Sequence, residues 1–317
     1  MTFQDFLKEW DNDKDSINVY TSGSTGEPKK MELLKEFVKE SAQRTNTFFN
    51  INSKSRLHSC VSPDFIGGKM MAVRAKIANS LFSWEDPSNE PLKNFPSDSI
   101  IDLLAVVPSQ IIYILNNLSS LPKINNIIIG GSAIHPDLKI KIANSGLNAF
   151  ETYGMTETAS HIALRPITKE NVPFKLFPGI KISLDNESCL KIIFKTGYIV
   201  RTNDIAEIIS KDEFYIKGRR DDIIISGGRK VNPIVIETKI EKLVPSPFYI
   251  TGFPDEKWGE KIVMVVEGPS FDKEKLLLQM KNYLEKWEIP KEINFVDKLP
   301  LTPNGKIIRV KNQFLSD

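Results

Sequence analysis

Leu34, Phe37, Val38, Ala42, Thr45, Phe48 and Phe49 recur near a 3.6-residue period, which predicts a helix over residues 31–49. Two α/β units follow. The apolar run Leu103–Val107 reads as a buried strand, and Pro108-Ser109 starts a helix through Ile111, Ile112 and Leu115. Ile127–Ile129 is a second such run, ending in Gly130-Gly131, and Ala149–Tyr153 is a third, ending in Gly154. Strands that end in glycine and alternate with helices imply a parallel sheet with ligands at the strand ends. After residue 180 the pattern changes. Ile180–Leu184 and Leu190–Phe194 flank the turn pair Asp185-Asn186, and Ile205–Ile209 and Phe214–Ile216 flank Lys211-Asp212, so this stretch reads as antiparallel. Beyond Gly218 come strands at 248–252 and 262–267 and a helix at 273–287, with Leu276, Leu277, Met280 and Leu284 on one face. The expected fold is therefore a large α/β N-terminal domain, a parallel sheet with helices plus an antiparallel β part, and a smaller α+β C-terminal domain. The charged stretch Gly218–Asp222 divides the chain into residues 1–217 and 218–317.

Composition narrows the function classes. The 317 residues are 41% hydrophobic and 26% charged, ordinary for a globular protein with a sizeable core. A net charge of +2 argues for neither a nucleic-acid nor an anionic membrane partner. No apolar run approaches the ~18 residues of a membrane helix, and the N-terminal MTFQDFLKEWDND lacks the apolar core of a signal peptide. The two cysteines, Cys60 and Cys189, read as buried small hydrophobes in a reducing cytoplasm. None of His58, His135 and His161 stands at a metal-ligand spacing from a cysteine or another histidine, so no zinc site is expected.

Five segments carry candidate chemistry, each with a bland alternative. Thr21-Ser22-Gly23-Ser24-Thr25-Gly26-Glu27-Pro28-Lys29 offers hydroxyls, approachable backbone N–H groups and a lysine to phosphate oxygens; it could equally be a flexible linker. Tyr153-Gly154-Met155-Thr156-Glu157-Thr158 follows a predicted strand. It offers a ring for a nucleobase and a carboxylate for Mg²⁺, or only a turn capped by Thr156. In Arg201-Thr202-Asn203-Asp204 the acid can accept hydrogen bonds from two ribose hydroxyls, though Asn-Asp is a common turn pair. Gly218–Lys230 places Arg219 and Asp221 beside the paired glycines Gly227 and Gly228; its alternative is a surface hairpin. Leu299–Lys306 is a stiff Pro/Asn-Gly loop that presents Lys306, and an isolated lysine is most often a solvated one.

Taken in order, TSGSTGEPK, YGMTET, RTND, GRRDDIIISGG and PNGK resemble the signature segments of the adenylate-forming enzymes: acyl-CoA ligases, luciferases and peptide-synthetase adenylation domains. The resemblance runs from residue 20 to residue 309. It implies that Thr21, Ser22, Gly23, Ser24, Thr25, Gly26 and Lys29 hold the β- and γ-phosphates of ATP, with Tyr153 and Gly154 along the adenine. It further implies Thr156 at the α-phosphate, Glu157 on Mg²⁺, Asp204 and Arg219 at the ribose, and Asp221 as the hinge. Lys306 is the implied catalytic lysine, and Gly227 and Gly228 give the pantetheine arm of coenzyme A close backbone access. The implied reaction is an acid–thiol ligation. A carboxylate attacks the α-phosphorus, pyrophosphate leaves, and a thiol then takes the acyl group from AMP.

Two departures stand out. Asn203 replaces the family's usual glycine before the ribose-binding acid. The phosphate loop starts at residue 21, where family members carry over a hundred residues before it, so the acid pocket is expected to be smaller or more open, or to be completed by a homo-oligomer. Within the family, Ser62–Met71 and Thr156–Leu164 resemble compact bacterial o-succinylbenzoate–CoA ligases of menaquinone synthesis. That substrate keeps a second carboxylate, for which Lys69, Arg74 and His161 are the candidate partners; each has a bland reading as a solvated or structural side chain. Another acyl- or aryl-CoA ligase, an amino-acid adenylation domain and a nucleotide-binding homologue without catalysis are the alternatives.

Overall fold

The computed structural model describes residues 1–21, 29–301 and 307–311. Contacts divide the chain into two compact units. The first comprises residues 1–181, 193–200 and 209–214; the second comprises 182–192, 201–208 and 215–317.

In the first unit, α1 (Phe3–Trp10) begins with a reciprocal cap: the Thr2 hydroxyl accepts from the Asp5 N–H at 3.1 Å, and Asp5 accepts from the Thr2 N–H at 3.1 Å. The antiparallel pair β1 (Ser16–Thr21) and β2 (Lys29–Leu34) follows, then α2 (Lys35–Phe48), β3 (Arg56–Ser59), α3 (Ile66–Ala78) and β4 (Leu81–Trp84). A short parallel ribbon, β5 (Ile100–Ile101) with β7 (Lys123–Ile124), brackets β6 (Leu103–Val106) and α4 (Pro108–Asn116). The unit continues with β8 (Ile127–Ile129), α5 (Pro136–Asn144), β9 (Ala149–Met155), β10 (Ser160–Pro166) and β11 (Phe174–Leu176). Strand order is β4-β3-β6-β8-β9-β10-β11, parallel through β9 and antiparallel after it. The parallel strands are apolar on both faces, as burial between helix layers requires: Leu103, Leu104, Ile127 and Ile129 are all fully buried.

Four strands, β12 (Ile180–Leu184), β13 (Cys189–Phe194), β14 (Ile199–Ile208) and β15 (Glu213–Arg219), occupy the antiparallel stretch. The second unit then builds a separate sheet from β16 (Ile224–Ser226), β17 (Arg229–Val231), β18 (Phe248–Asp255), β19 (Gly259–Glu267) and β20 (Glu292–Val296), with α6 (Pro233–Ile240) and α7 (Lys273–Met280). Its pairs are antiparallel except β19–β20. Ile224, Ile236, Ile250, Met264, Leu276 and Met280 share one core there.

The α/β plus α+β architecture agrees with the sequence expectation, but two helix boundaries differ. Residues 31–34 belong to β2, not to the helix, because Met31 and Leu33 alternate inward with Lys30 and Glu32 before α2 begins at Lys35. The helix expected over 273–287 ends at Met280. Among the described residues, no helix is long and apolar enough to cross a membrane.

Candidate functional site

Hydrogen-bonded strand pairs set the frame. Thr21 on β1 pairs with Lys29 on β2, so the two ends of the segment 22–28 are held side by side. Ser22, Gly23, Ser24, Thr25 and Gly26 lie outside the described residues, as does the Thr21 side chain; Lys29 opens β2 at an exposed position. The hairpin packs through Ile17, Val19 and Leu33 on the same core as Ala159.

β9 carries the second segment. Tyr153 is half-buried, its ring edge-on to Phe214 with centroids 5.2 Å apart and tilted against Phe174 at 5.7 Å. Gly154 faces His161 across the strand pair, and a bulge between His161 and Ala163 brings the two backbones together. A Cβ on Gly154 would sit 2.3 Å from the Ser160 carbonyl oxygen and 2.4 Å from the His161 Cα, so only glycine fits. The chain then makes a 3-10 turn, Thr156–Thr158. Ala159 (φ +49°) and Ser160 (φ +82°) are both left-handed, a conformation that costs a side-chain-bearing residue about 1–2 kcal/mol. Three hydroxyl contacts hold it: Ser41 Oγ donates to the Ala159 carbonyl at 2.6 Å, Thr158 Oγ1 donates to the Ser160 carbonyl at 2.6 Å, and the Met155 N–H donates to Thr158 Oγ1 at 2.9 Å. Glu157 is half-buried on this strained turn, and its carboxylate has no hydrogen-bond or ion-pair partner among the described residues. A carboxylate fixed in place and unpaired fits a Mg²⁺ ligand.

Arg74 and His161 come together; Lys69 does not join them. Arg74, on α3, is 1% exposed. Its Nη2 lies 3.4 Å from Ser160 Oγ and 3.5 Å from His161 Nδ1, its Nη1 reaches Met71 Sδ at 3.5 Å, and its Nε is buried without a partner. No carboxylate pairs with it among the described residues, and burial pushes the guanidinium down to about 9. Arginine only donates, so His161 Nδ1 accepts and Nε2–H donates to Thr45 Oγ1 at 2.9 Å. Burial, then Arg74 and Arg44, hold His161 well below its ordinary value, which keeps it neutral. Arg44, on α2, adds two more buried unpartnered nitrogens, Nε and Nη2, and its guanidinium lies over the Phe194 ring at 5.9 Å. Lys69 sits on a different side of α3, its Nζ 4.6 Å from the Phe6 ring centroid and 2.9 Å from Met1 Sδ.

In the second unit Asp204 accepts from Arg219 Nη1 at 2.8 Å, and its N–H donates to Thr202 Oγ1 at 3.0 Å. Asp221 accepts from Asn203 Nδ2 at 2.9 Å and from Arg219 Nη2 at 3.2 Å. Asn203 therefore has a definite occupation: its amide ties Asp221, and its oxygen accepts from Arg220 at 2.6 Å. Gly227 (φ +57°) and Gly228 (φ +76°) form the two-residue turn between β16 and β17, where both central residues must be left-handed. The Trp258 ring covers Gly227, 3.0 Å from where a Cβ would be. Lys306 lies outside the described residues.

Sequence reasoning missed Arg44, Thr45, Ser41, Ser160 and the pair His58–Glu85. The signal for the α2 residues was legible: Ser41, Thr45 and Asn46 share the buried face with Val38 and Ala42, and polar groups on an apolar face need partners.

Residues 7–200 match the AMP-binding enzyme family, and residues 248–306 match the AMP-binding enzyme C-terminal domain. The chain belongs to the AMP-binding enzyme family. Among curated relatives, this AMP-binding enzyme is 29% identical to 2-succinylbenzoate–CoA ligase of Listeria monocytogenes over 97% of its own length and 71% of the relative's. Among solved structures it resembles o-succinylbenzoate-CoA synthetase of Bacillus subtilis in complex with the acyl-adenylate intermediate OSB-AMP, with a TM-score of 0.80 at 21% identity, covering 92% of this chain and 67% of that one. The same Bacillus protein in complex with ATP and magnesium ion gives a TM-score of 0.77 at 20% identity, covering 92% and 68%. At those identities the structures establish the fold.

Proposed function

We propose that this AMP-binding enzyme is an AMP-forming acid–CoA ligase whose acid is o-succinylbenzoate. The observation that carries the substrate is the buried Arg74–His161 pair. A fully buried guanidinium with an unpartnered Nε and no acid beside it among the described residues is costly unless a ligand supplies the anion. The carboxylate that o-succinylbenzoate keeps after activation is such an anion, and an apolar acid is not. The name of the Listeria relative supports the same reading.

Each remaining residue takes a role its setting suits. Tyr153 offers its ring to the adenine, and Thr156 its hydroxyl to the α-phosphate. Asp204, oriented by Arg219, accepts from the ribose hydroxyls. Glu157 holds Mg²⁺, which neutralises phosphate charge when bound. Lys29 and the hydroxyls of segment 21–26 hold the β- and γ-phosphates. Lys306 supplies positive charge where the carboxylate oxygen meets the α-phosphorus. The negative charge that gathers as pyrophosphate leaves is what these donors and cations stabilise. Gly227 and Gly228 offer backbone access to the pantetheine arm of coenzyme A. Residues 218–317 form the mobile domain, with Asp221 as its hinge. Lys69 serves packing against α1.

ATP–pyrophosphate exchange with a panel of acids, followed by addition of CoA, tests the reading. Exchange and thioester with o-succinylbenzoate alone is expected. Exchange with another acid instead would refute the substrate and keep the ligase. Lys306→Ala is expected to abolish exchange while ATP still binds; loss of ATP binding together with exchange would count against its role.

A further inference from the structure

We propose that His58, Cys60 and Glu85 form a site for one zinc-class divalent cation at the carboxyl ends of β3 and β4, separate from the nucleotide machinery. Cysteine and histidine spacing alone predicts no zinc site, but His58 on β3 and Cys60 just beyond it are two residues apart in extended chain, so their side chains project to the same face. Glu85 follows β4, the parallel neighbour of β3, and its N–H donates to the Ser59 carbonyl at 3.2 Å. One ligand atom from each of the three side chains lies within 4.8 Å of the other two.

Three features distinguish this group from a chance cluster. His58 is 2% exposed, yet its Nε2 has no hydrogen-bond partner among the described residues; it faces Glu85 Oε2 at 3.8 Å, beyond hydrogen-bond length. The other ring nitrogen, Nδ1, bonds Ser83 Oγ at 2.8 Å, and the Phe95 ring stands edge-on at 4.8 Å, so the imidazole is oriented. A second hydrogen bond that fixes the tautomer and aims the free nitrogen is the usual setting of a metal-bound histidine. Thirdly, the other two ligands are anchored from outside the cluster: the Leu92 N–H donates to Glu85 Oε1 at 2.9 Å, and Gln110 Nε2 donates to the Cys60 carbonyl at 2.9 Å.

Donor chemistry selects the ion. A thiolate, an imidazole and a carboxylate suit Zn²⁺ or Co²⁺ and not Mg²⁺, which demands oxygen. Tetrahedral bonds of about 2.0–2.3 Å set ligand atoms roughly 3.3–3.7 Å apart, so a modest rotation of Glu85, the most exposed of the three, closes the cluster. Coordination replaces the thiol proton, which leaves to solvent. Two strands, β6 and β8, stand between β3 and β9, about 14 Å at ordinary strand spacing, so the ion would not meet the Tyr153–Glu157 segment.

The test uses the full chain freed of metal by a chelator, titrated with Zn²⁺ by calorimetry and with Co²⁺ by absorption. One ion per chain is expected, with a thiolate-to-cobalt charge-transfer band. Cys60→Ser should abolish the band, and Glu85→Gln, which leaves the core intact, should weaken Zn²⁺ binding by more than about tenfold. Absence of stoichiometric binding, cobalt binding without a thiolate band, or Zn²⁺ affinity unchanged in Glu85→Gln would each overturn the site.

Discussion

Burying a guanidinium without an acid costs stability, and Arg74 is held in that way by Met71, Ser160 and His161. Binding and stability should therefore part company at this residue. Arg74→Met is expected to leave the melting temperature unchanged or raised, while KM for o-succinylbenzoate rises about 10–100-fold, the range for a lost hydrogen bond to a charged group. A lower melting temperature with an unchanged KM would mean that Arg74 serves the fold. His161 gives a pH signature. Its folded value lies well below 6.5, so at acid pH the unfolded chain binds the extra proton. The stability associated with the neutral ring is whole above about pH 6.5 and is lost below it, at about 1.4 kcal/mol per pH unit, until the folded value is reached. Between pH 6.5 and 5.5, denaturant unfolding should show the wild type losing about 1 kcal/mol more than His161→Gln; equal losses would place the ring's protonation outside the folding balance. These two residues could be singled out from sequence because they lie in segments that resemble a known group. Lys69 could be named in the same way, but no periodicity says that it turns toward α1. Arg44 was invisible because a lone arginine on a helix normally reads as solvated.

At the scale of elements, strands buried on both faces were the easiest to read. Leu103–Val106 and Ile127–Ile129 are uninterrupted apolar runs, and a parallel sheet between helix layers demands that pattern. Failures came where two periods overlap. Met31 and Leu33 fit a strand and also extend the helical series of α2, and only pairing with β1 decides between them. Beyond α7, Leu284 stays in the core although the helix has ended, because the turn after Met280, with the Leu284 N–H donating to the Met280 carbonyl at 2.9 Å, keeps it inward. Gly67 and Gly68 hid α3, since paired glycines argue against a helix; Gly68 is needed there because a Cβ would meet the Ser62 carbonyl at 2.3 Å. The β9–β10 pair makes its own prediction. Gly154→Ala sets a methyl against backbone, which cannot step aside as a side chain would. Destabilisation of about 1–3 kcal/mol is expected, together with weaker nucleotide binding measured by calorimetry. Full stability with normal binding would show that the two strands separate freely.

Across the whole molecule, the chain was legible as a large α/β part and a smaller α+β part, since the apolar pattern changes character twice. The second part has its own closed core, with Ile236, Ile250, Ile262, Met264 and Ile293 all nearly inaccessible to solvent. We expect a fragment of residues 218–317 to unfold cooperatively on its own when followed by circular dichroism; a featureless melt would show that it needs the rest of the chain. The hydroxyls proposed to bind phosphate and Lys306 could be read only by resemblance, for glycine- and proline-rich loops carry no periodicity. Of the four tryptophans, Trp10 and Trp84 belong to the first unit and Trp258 and Trp287 to the second. Trp258, pressed on Gly227 and flanked by Lys257 and Lys291, is 38% exposed. An indole that is half wet and lies on the glycine turn is sensitive to what covers that turn, so if coenzyme A docks there as proposed, its arrival should shift the emission of Trp258 with no dye attached.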